Sequence, residues 1–350
     1  MGRLLSDLLL MVRTYARGGY PPFVYGDAPP GEHLPVLFFH AVQPSRFEAQ
    51  LAFLRDNGYE TLSCDEAVAR QRGQGTRRRR EVLLTFDDGL ASLHRDAFPL
   101  LSRFGFKAVA YVLPAWVGQP GFVTWDQVRE MHDSGLVDIQ SHSFAHASLV
   151  THLTIAGVWS RRGPSHLGWD LPGVSPDMDL ARFSRLPVLD GTSLFQARHA
   201  FILPRPFWEE CLSVPDGSRR EHLLRYRAIL RRHRDQATEL TGSMIRCRML
   251  EDLEASRQAL EEALPGHHVR HFAFPWHLHG PDAWSTLENT GFSSAAVGLE
   301  VPSADRRTTD SVLEILRVNG DFLTCLPGRG RESAWRVFAR KARRRLAASP

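Results

Sequence analysis

Short apolar runs recur along this chain, and the stretches between them carry apolar residues three and four positions apart. Residues 36–39, 82–86, 108–113, 139–141, 272–274 and 295–297 are the runs, and their length and content predict strands. Residues 47–57 and 92–104 carry the helical spacing. Strands alternating with helices require a largely parallel sheet, so the expected fold class is α/β, a barrel with helices outside. The alternation breaks over 151–248, which is rich in Pro, Gly and Arg and turns into a charged helical pattern from Gly217 to Arg234. Its position predicts an elaborated loop over or beside the reactive end of the barrel.

Chemistry enters where the second run stops. Val82 to Phe86 leads directly into Asp87-Asp88-Gly89, two carboxylates at a strand end before a turn. Adjacent side chains there point in different directions, so one can hold a cation while the other stays free to move a proton. Farther along, Val137 to Ser141 leads into His142-Ser143-Phe144-Ala145-His146. Histidines at i and i+4 share one side of a helical turn and can reach one ion. Asp88, His142 and His146 then form a set of two nitrogens and one oxygen with open positions for water and substrate, which is the composition of a catalytic metal site.

Thr85-Phe86-Asp87-Asp88-Gly89 followed by His142-Ser143-x-x-His146 resembles the first two motifs of the polysaccharide deacetylases, the family with nodulation-protein-B homology. Leu34 to Val42, Phe47 to Leu54 and Gly58 to Leu62 resemble the opening of its poly-N-acetylglucosamine deacetylase branch, and Phe272-Ala273-Phe274-Pro275-Trp276 resembles its third motif. The resemblance covers about 34–150 and 269–319. It implies a distorted (β/α) barrel with a long insertion, and a divalent metal, zinc being the expected ion. It also implies Asp87 as base, the Trp276 backbone N–H as oxyanion donor and Arg317 as the group that orients Asp87. The late Leu-x-x-His motif of many members is missing, and Ile315-Leu316-Arg317-Val318-Asn319 stands in that region. His40, at a strand end, is therefore the first candidate for the acid, with His277 and His279 behind it.

Composition constrains the rest. The 350 residues leave room for an insertion, and a hydrophobic content of 43% supports a sizeable core. The net charge of +4 is small, nearly every cation is an arginine, and nothing implies nucleic acid. Cys64, Cys211, Cys247 and Cys325 are scattered without a CxxC pair and read as reduced core residues. The resulting organisation is an extension at 1–30, a deacetylase barrel at 31–330 with 151–248 inserted, and a basic helix or tail at 331–350. Without a convincing signal peptide the expected location is the cytoplasm, and the basic C-terminal helix reads as packed on the barrel, with peripheral membrane contact as the alternative. Trp159, Trp169, Phe195, Phe207 and Trp208 read as a small core of the insertion, with sugar stacking as the alternative.

Three functions are compatible with this reading. The first is a metal-dependent hydrolase removing an N-acyl group, acetyl by expectation, from an amino sugar of a glycan or glycoconjugate. The second is an esterase or amidase acting on an O-acetylated sugar or a non-sugar amide. The third is an inactive carbohydrate-binding homologue, against which the retained Asp87 argues.

Overall fold

A computed structural model describes residues 2–26, 34–74, 80–158, 186–299 and 311–347. In chain order, α1 (Gly2–Ala16) and α2 (Pro22–Tyr25) precede β1 (Val36–Phe39), α3 (Pro44–Asp56), β2 (Glu60–Thr61), α4 (Cys64–Gln71) and β3 (Glu81–Phe86). A π-helical turn, Leu93–Ala97, runs into α5 (Phe98–Phe104), followed by β4 (Ala108–Val112), α6 (Trp125–Asp133) and β5 (Val137–Ser141). Then come β6 (Ser148–Val158), β7 (Pro187–Ser193), β8 (Ala200–Ile202), α7 (Arg205–Leu212), α8 (Arg219–His233) and β9 (Thr238–Leu240). The chain ends with α9 (Gly242–Ala263), β10 (His271–Ala273), α10 (Pro281–Asn289), β11 (Ser294–Gly298), β12 (Leu313–Asn319) and α11 (Ala334–Ala347).

β1, β12, β11, β10, β5, β4 and β3 pair in that order, and β1 pairs again with β3, so the parallel sheet closes into a barrel. Period-two alternation divides each strand between two cores. Val36, Leu83, Val109, Tyr111, Ala273, Ala296 and Ile315 pack together inside the barrel, while Leu37, Leu84, Ala110, Ile139, Phe272, Ala295 and Val318 belong to the outer core shared with the helices. Burial on both faces is why the strands read as nearly continuous apolar runs. β12 was not among the expected strands, because Glu314, Arg317 and Asn319 interrupt its apolar pattern. Arg317 is nevertheless fully buried.

The region after β5 is not a plain loop. β7, β6, β8 and β9 form an antiparallel sheet, and α7 and α8 cover it through a core that includes Val150, Ile155, Leu189, Phe207, Tyr226 and Ile229. Phe207 thus lies in a core of this region, with Trp208 packed against it, whereas Phe195 packs on Phe272 and Phe274 of the barrel at ring distances of 5.1 and 5.8 Å. Trp159 and Trp169 lie outside the described residues. α9 returns to the barrel, burying Ile245, Met249, Leu253 and Leu260 in the outer core.

Both terminal helices dock. Ala334, Val337 and Phe338 of α11 are buried in the outer core, and Trp335 lies 5.4 Å from Tyr15 of α1. Arg340 pairs with Glu332, and Arg344 and Lys341 pair with Asp321, so much of the basic charge of α11 is directed inward. Three cysteines are buried and all four are free, but Cys247 is exposed on α9 rather than in the core, because it falls on the outer face of that helix.

Candidate metal centre and active site

Inside the barrel, alternate residues of each strand build layers, and the layers become polar toward the C-terminal strand ends. β1 contributes Val36, Phe38 and then His40; β3 contributes Leu83, Thr85 and then Asp87; β12 contributes Ile315 and Arg317. The strand pairing of Phe38 with Thr85 brings these positions level.

Arg317 is held at both terminal nitrogens. Its Nη1 donates to Asp87 Oδ1 at 2.6 Å and to Thr85 Oγ1 at 3.1 Å, and its Nη2 donates to Asp87 Oδ2 at 2.9 Å. The guanidinium stands 5.4 Å from the Phe38 ring and 5.3 Å from the Tyr111 ring. His277 Nδ1 lies 3.4 Å from Nη2. Burial opposes ionisation of Asp87, but the charges of Arg317, His142 and His40 outweigh it and hold the carboxyl well below the usual carboxylate range. Burial and the Arg317 charge act together on His277, which is pushed down to about 3 and stays neutral.

Asp88 turns the other way. At φ 73° its backbone is left-handed, and its Oδ1 lies 3.3 Å from His142 Nε2 while Oδ2 lies 3.9 Å from His40 Nε2. Burial of Asp88 is again outweighed, here by His40, His142 and His146, and its pKa is lowered. One donor atom each from Asp88, His142 and His146 lies within 4.8 Å of the others, and all three residues are buried. The donor set fits a divalent cation. His142 Nδ1 donates to the Ala273 carbonyl at 2.8 Å, which fixes the tautomer that presents the Nε2 lone pair.

The two histidines do not share a helical turn, contrary to the sequence expectation. The segment after Ser141 is an irregular loop in which Ser143 and His146 have φ of 74° and 56°. Local hydrogen bonds shape it: Ser143 Oγ accepts from the His146 N–H at 2.9 Å, and Asp252 Oδ1 of α9 accepts from the Phe144 N–H at 3.0 Å. Ser256 Oγ donates to the Ser143 carbonyl, and Trp116 Nε1 donates to the Ala145 carbonyl. Burial raises Asp252 to about 6 against the pull of the Phe144 and Ala145 N–H groups and Ser143. Neither Asp252 nor Ser256 stood out in the sequence. Their i, i+4 spacing on an amphipathic helix is the only signal they leave.

Trp276 is 43% exposed, and its ring lies 5.7 Å from that of His146. Trp276 and His277 both have positive φ, 57° and 59°. Thus every non-glycine residue with positive φ among the described residues, namely Asp88, Ser143, His146, Trp276 and His277, belongs to this one site. Such conformations cost on the order of 1–3 kcal/mol each and persist only where the surroundings impose them. A Cβ on Gly298 would come within 2.7 Å of the His277 ring, so a glycine is needed for this histidine to fit. The structure therefore gathers Asp87, Asp88, His40, His142, His146, His277 and Arg317 at one mouth, with Trp276 at its rim. His279 is turned away, its Nδ1 accepting from Trp284 Nε1 at 3.1 Å.

A closed parallel barrel with helices outside is the fold of the nodulation-protein-B deacetylases. It superposes on the de-N-acetylase from Aggregatibacter actinomycetemcomitans with a TM-score of 0.52 at 18% identity, covering 87% of this chain and 99% of that one. The BpsB deacetylase domain from Bordetella bronchiseptica gives a TM-score of 0.51 at 18% identity, covering 82% and 96%. Residues 74–161 match the family model for polysaccharide deacetylase. The chain is 33% identical over 124 residues to YxkH of Bacillus subtilis (strain 168), whose name carries the same family, a match spanning 33% of this chain and 44% of the relative. It is 35% identical over 121 residues to the poly-beta-1,6-N-acetyl-D-glucosamine N-deacetylase of Escherichia coli (strain K12), spanning 30% of this chain and 18% of that protein. In both cases the chain spans less than half the length of the relative.

Proposed function

We propose that this protein is a metal-dependent hydrolase that removes an N-acetyl group from an amino sugar of a glycan or glycoconjugate, with zinc as its ion. The observation that carries the reading is the separation of two neighbouring carboxylates. Asp88 shares a cluster with two histidines, while Asp87 stands beside it, held by Arg317. A site that only bound sugar would have no use for an ionised carboxylate outside the donor set.

The residues divide the work as follows. Asp88, His142 and His146 hold the ion, which supplies Lewis acidity at the carbonyl and lowers the pKa of water. Asp87, ionised at neutral pH, accepts a proton from the attacking water, and Arg317 keeps its carboxylate in one orientation. The Trp276 backbone N–H donates to the oxyanion as the carbonyl carbon becomes tetrahedral. His40, at the open mouth, delivers a proton to the amine nitrogen as the C–N bond breaks, leaving acetate and the free amino sugar.

The test is acetate release from N-acetylglucosamine oligomers by purified protein, with metal content measured in parallel. Asp87→Asn should keep its metal and lose about 10²–10⁴-fold in kcat, while Asp88→Ala should lose the metal itself. Protein that takes up no stoichiometric metal and releases no acetate with added zinc sinks the reading. Turnover confined to O-acetylated sugars or acylated amines replaces it with the esterase or amidase alternative.

A further inference from the structure

The sheet inserted after β5 presents a helix face for which the reaction has no use. Along α8, His222, Tyr226, Ile229 and Leu230 are buried against the sheet and α7. On its solvent side lies a stripe of Arg220, Leu224, Arg227, Arg231 and, just past the helix, Arg234, all exposed. At 1.5 Å per residue it extends about 20 Å. Arg232 is bound by Glu210, and Glu221 is engaged in the capping box with Ser218. Among the described residues, no acidic side chain forms an ion pair with Arg220, Arg227, Arg231 or Arg234. On α11, by contrast, Arg340 and Arg344 are bound by Glu332 and Asp321.

We propose that the outward face of α8 docks on a bilayer surface containing anionic phospholipid. The arginine row matches phosphate headgroups in charge and in guanidinium geometry. The apolar element selects a bilayer over nucleic acid or another soluble polyanion. Leu224 is 59% exposed at the centre of the row, and Leu212, at the end of the neighbouring α7, is 46% exposed. An exposed leucine flanked by arginines suits the boundary between headgroups and acyl chains. Arginine also carries its charge at every accessible pH, so docking responds to salt and lipid rather than to pH. α8 packs on β6, which begins two residues after His146, so the docking face belongs to the unit that follows the histidine loop. The proposal is independent of the bond that the site cleaves.

Flotation of the full-length protein with vesicles tests it. The chain should float with phosphatidylcholine vesicles containing about one-third phosphatidylglycerol, not with phosphatidylcholine alone, and added salt should release it. The triple variant R220E/R227E/R231E should lower the partition coefficient on the order of a hundredfold. R220K/R227K/R231K should stay within about tenfold of the parent, and L224A should fall between the two. All these side chains are exposed, so melting curves of the variants should match the parent. R336E/R343E on α11 should bind as the parent does. Absence of flotation, equal flotation with neutral vesicles, unchanged binding of the glutamate variant, or loss of binding in the α11 variant overturns the assignment. So does binding to polyphosphate or single-stranded DNA without binding to vesicles.

Discussion

The interior of the barrel is polar at both ends, and β5 contributes to both. At the C-terminal mouth β3, β5 and β12 lead to Asp87, His142 and Arg317. At the floor β5, β10 and β11 present Asp138, His271 and Ser294, with Cys64 and Asp65 from α4. Each end has a buried histidine beside a carboxylate. The floor histidine is saturated: His271 Nδ1 meets Ser294 Oγ at 2.8 Å and Nε2 meets Asp65 Oδ1 at 3.0 Å. At the mouth His142 uses only Nδ1 on a carbonyl and points Nε2 at the carboxylate and histidine that could share an ion with it. Burial and charge alone therefore do not mark the site. What separates the two clusters is coordinating capacity left over after the protein's own hydrogen bonds are counted.

That contrast can be broken most severely at Arg317. Arg317→Met leaves Asp87 buried and unpaired, and chemical denaturation should show a loss of about 3–5 kcal/mol. The double variant Arg317→Met/Asp87→Leu should recover part of it, because a buried charge no longer lacks a partner. No recovery in the double variant means that the clamp is not the source of the loss. At the floor, His271→Leu should cost about 1–3 kcal/mol by orphaning Ser294, while kcat per folded molecule and metal content stay at parental values. A floor variant that loses metal would erase the distinction between the ends. Ser256→Ala, which removes one brace of the histidine loop, should cost about 1 kcal/mol and weaken metal affinity by about 10–100-fold, read by chelator competition.

A further effect concerns pH. His277 is neutral in the folded protein down to about 3, whereas an unfolded histidine takes a proton near 6.5. The folded state therefore binds fewer protons between these values, and stability is full above about pH 6.5 and declines as pH falls toward 3. Between pH 6.5 and 4.5 this contribution lowers the melting temperature, while Asp252, raised to about 6, takes up its proton in the folded state and acts in the opposite sense, so the readout is the difference in slope between parent and variant. His277→Gln should flatten that slope; an equal slope in the variant assigns the dependence to other groups.

Much of the site was legible because its chemistry is local. Apolar run, Asp87-Asp88, turn at Gly89: these neighbours place two carboxylates at a strand end without any tertiary knowledge. His142 and His146 were legible as a pair for the same reason, but their geometry was not. The loop takes its shape from Asp252 and Ser256, more than a hundred residues away in the chain. β12 was missed because its pattern is broken by Arg317, a residue that only a facing Asp87 makes tolerable in the barrel interior. The inserted sheet was missed because the pairing of β6 with β7 is bulged, β8 and β9 have three residues each, and part of the apolar surface is covered by α8 rather than by another strand.

By itself, then, the sequence determined the strand ends, the carboxylates and histidines that stand just beyond them and the alternation that closes a parallel barrel. Each follows from interactions among residues a few positions apart. The tertiary structure alone decided which carboxylate keeps a free oxygen, which histidine is saturated and which arginines face solvent. Those outcomes depend on partners brought together by the closed barrel and the packed insertion, and no spacing rule along one chain segment contains them.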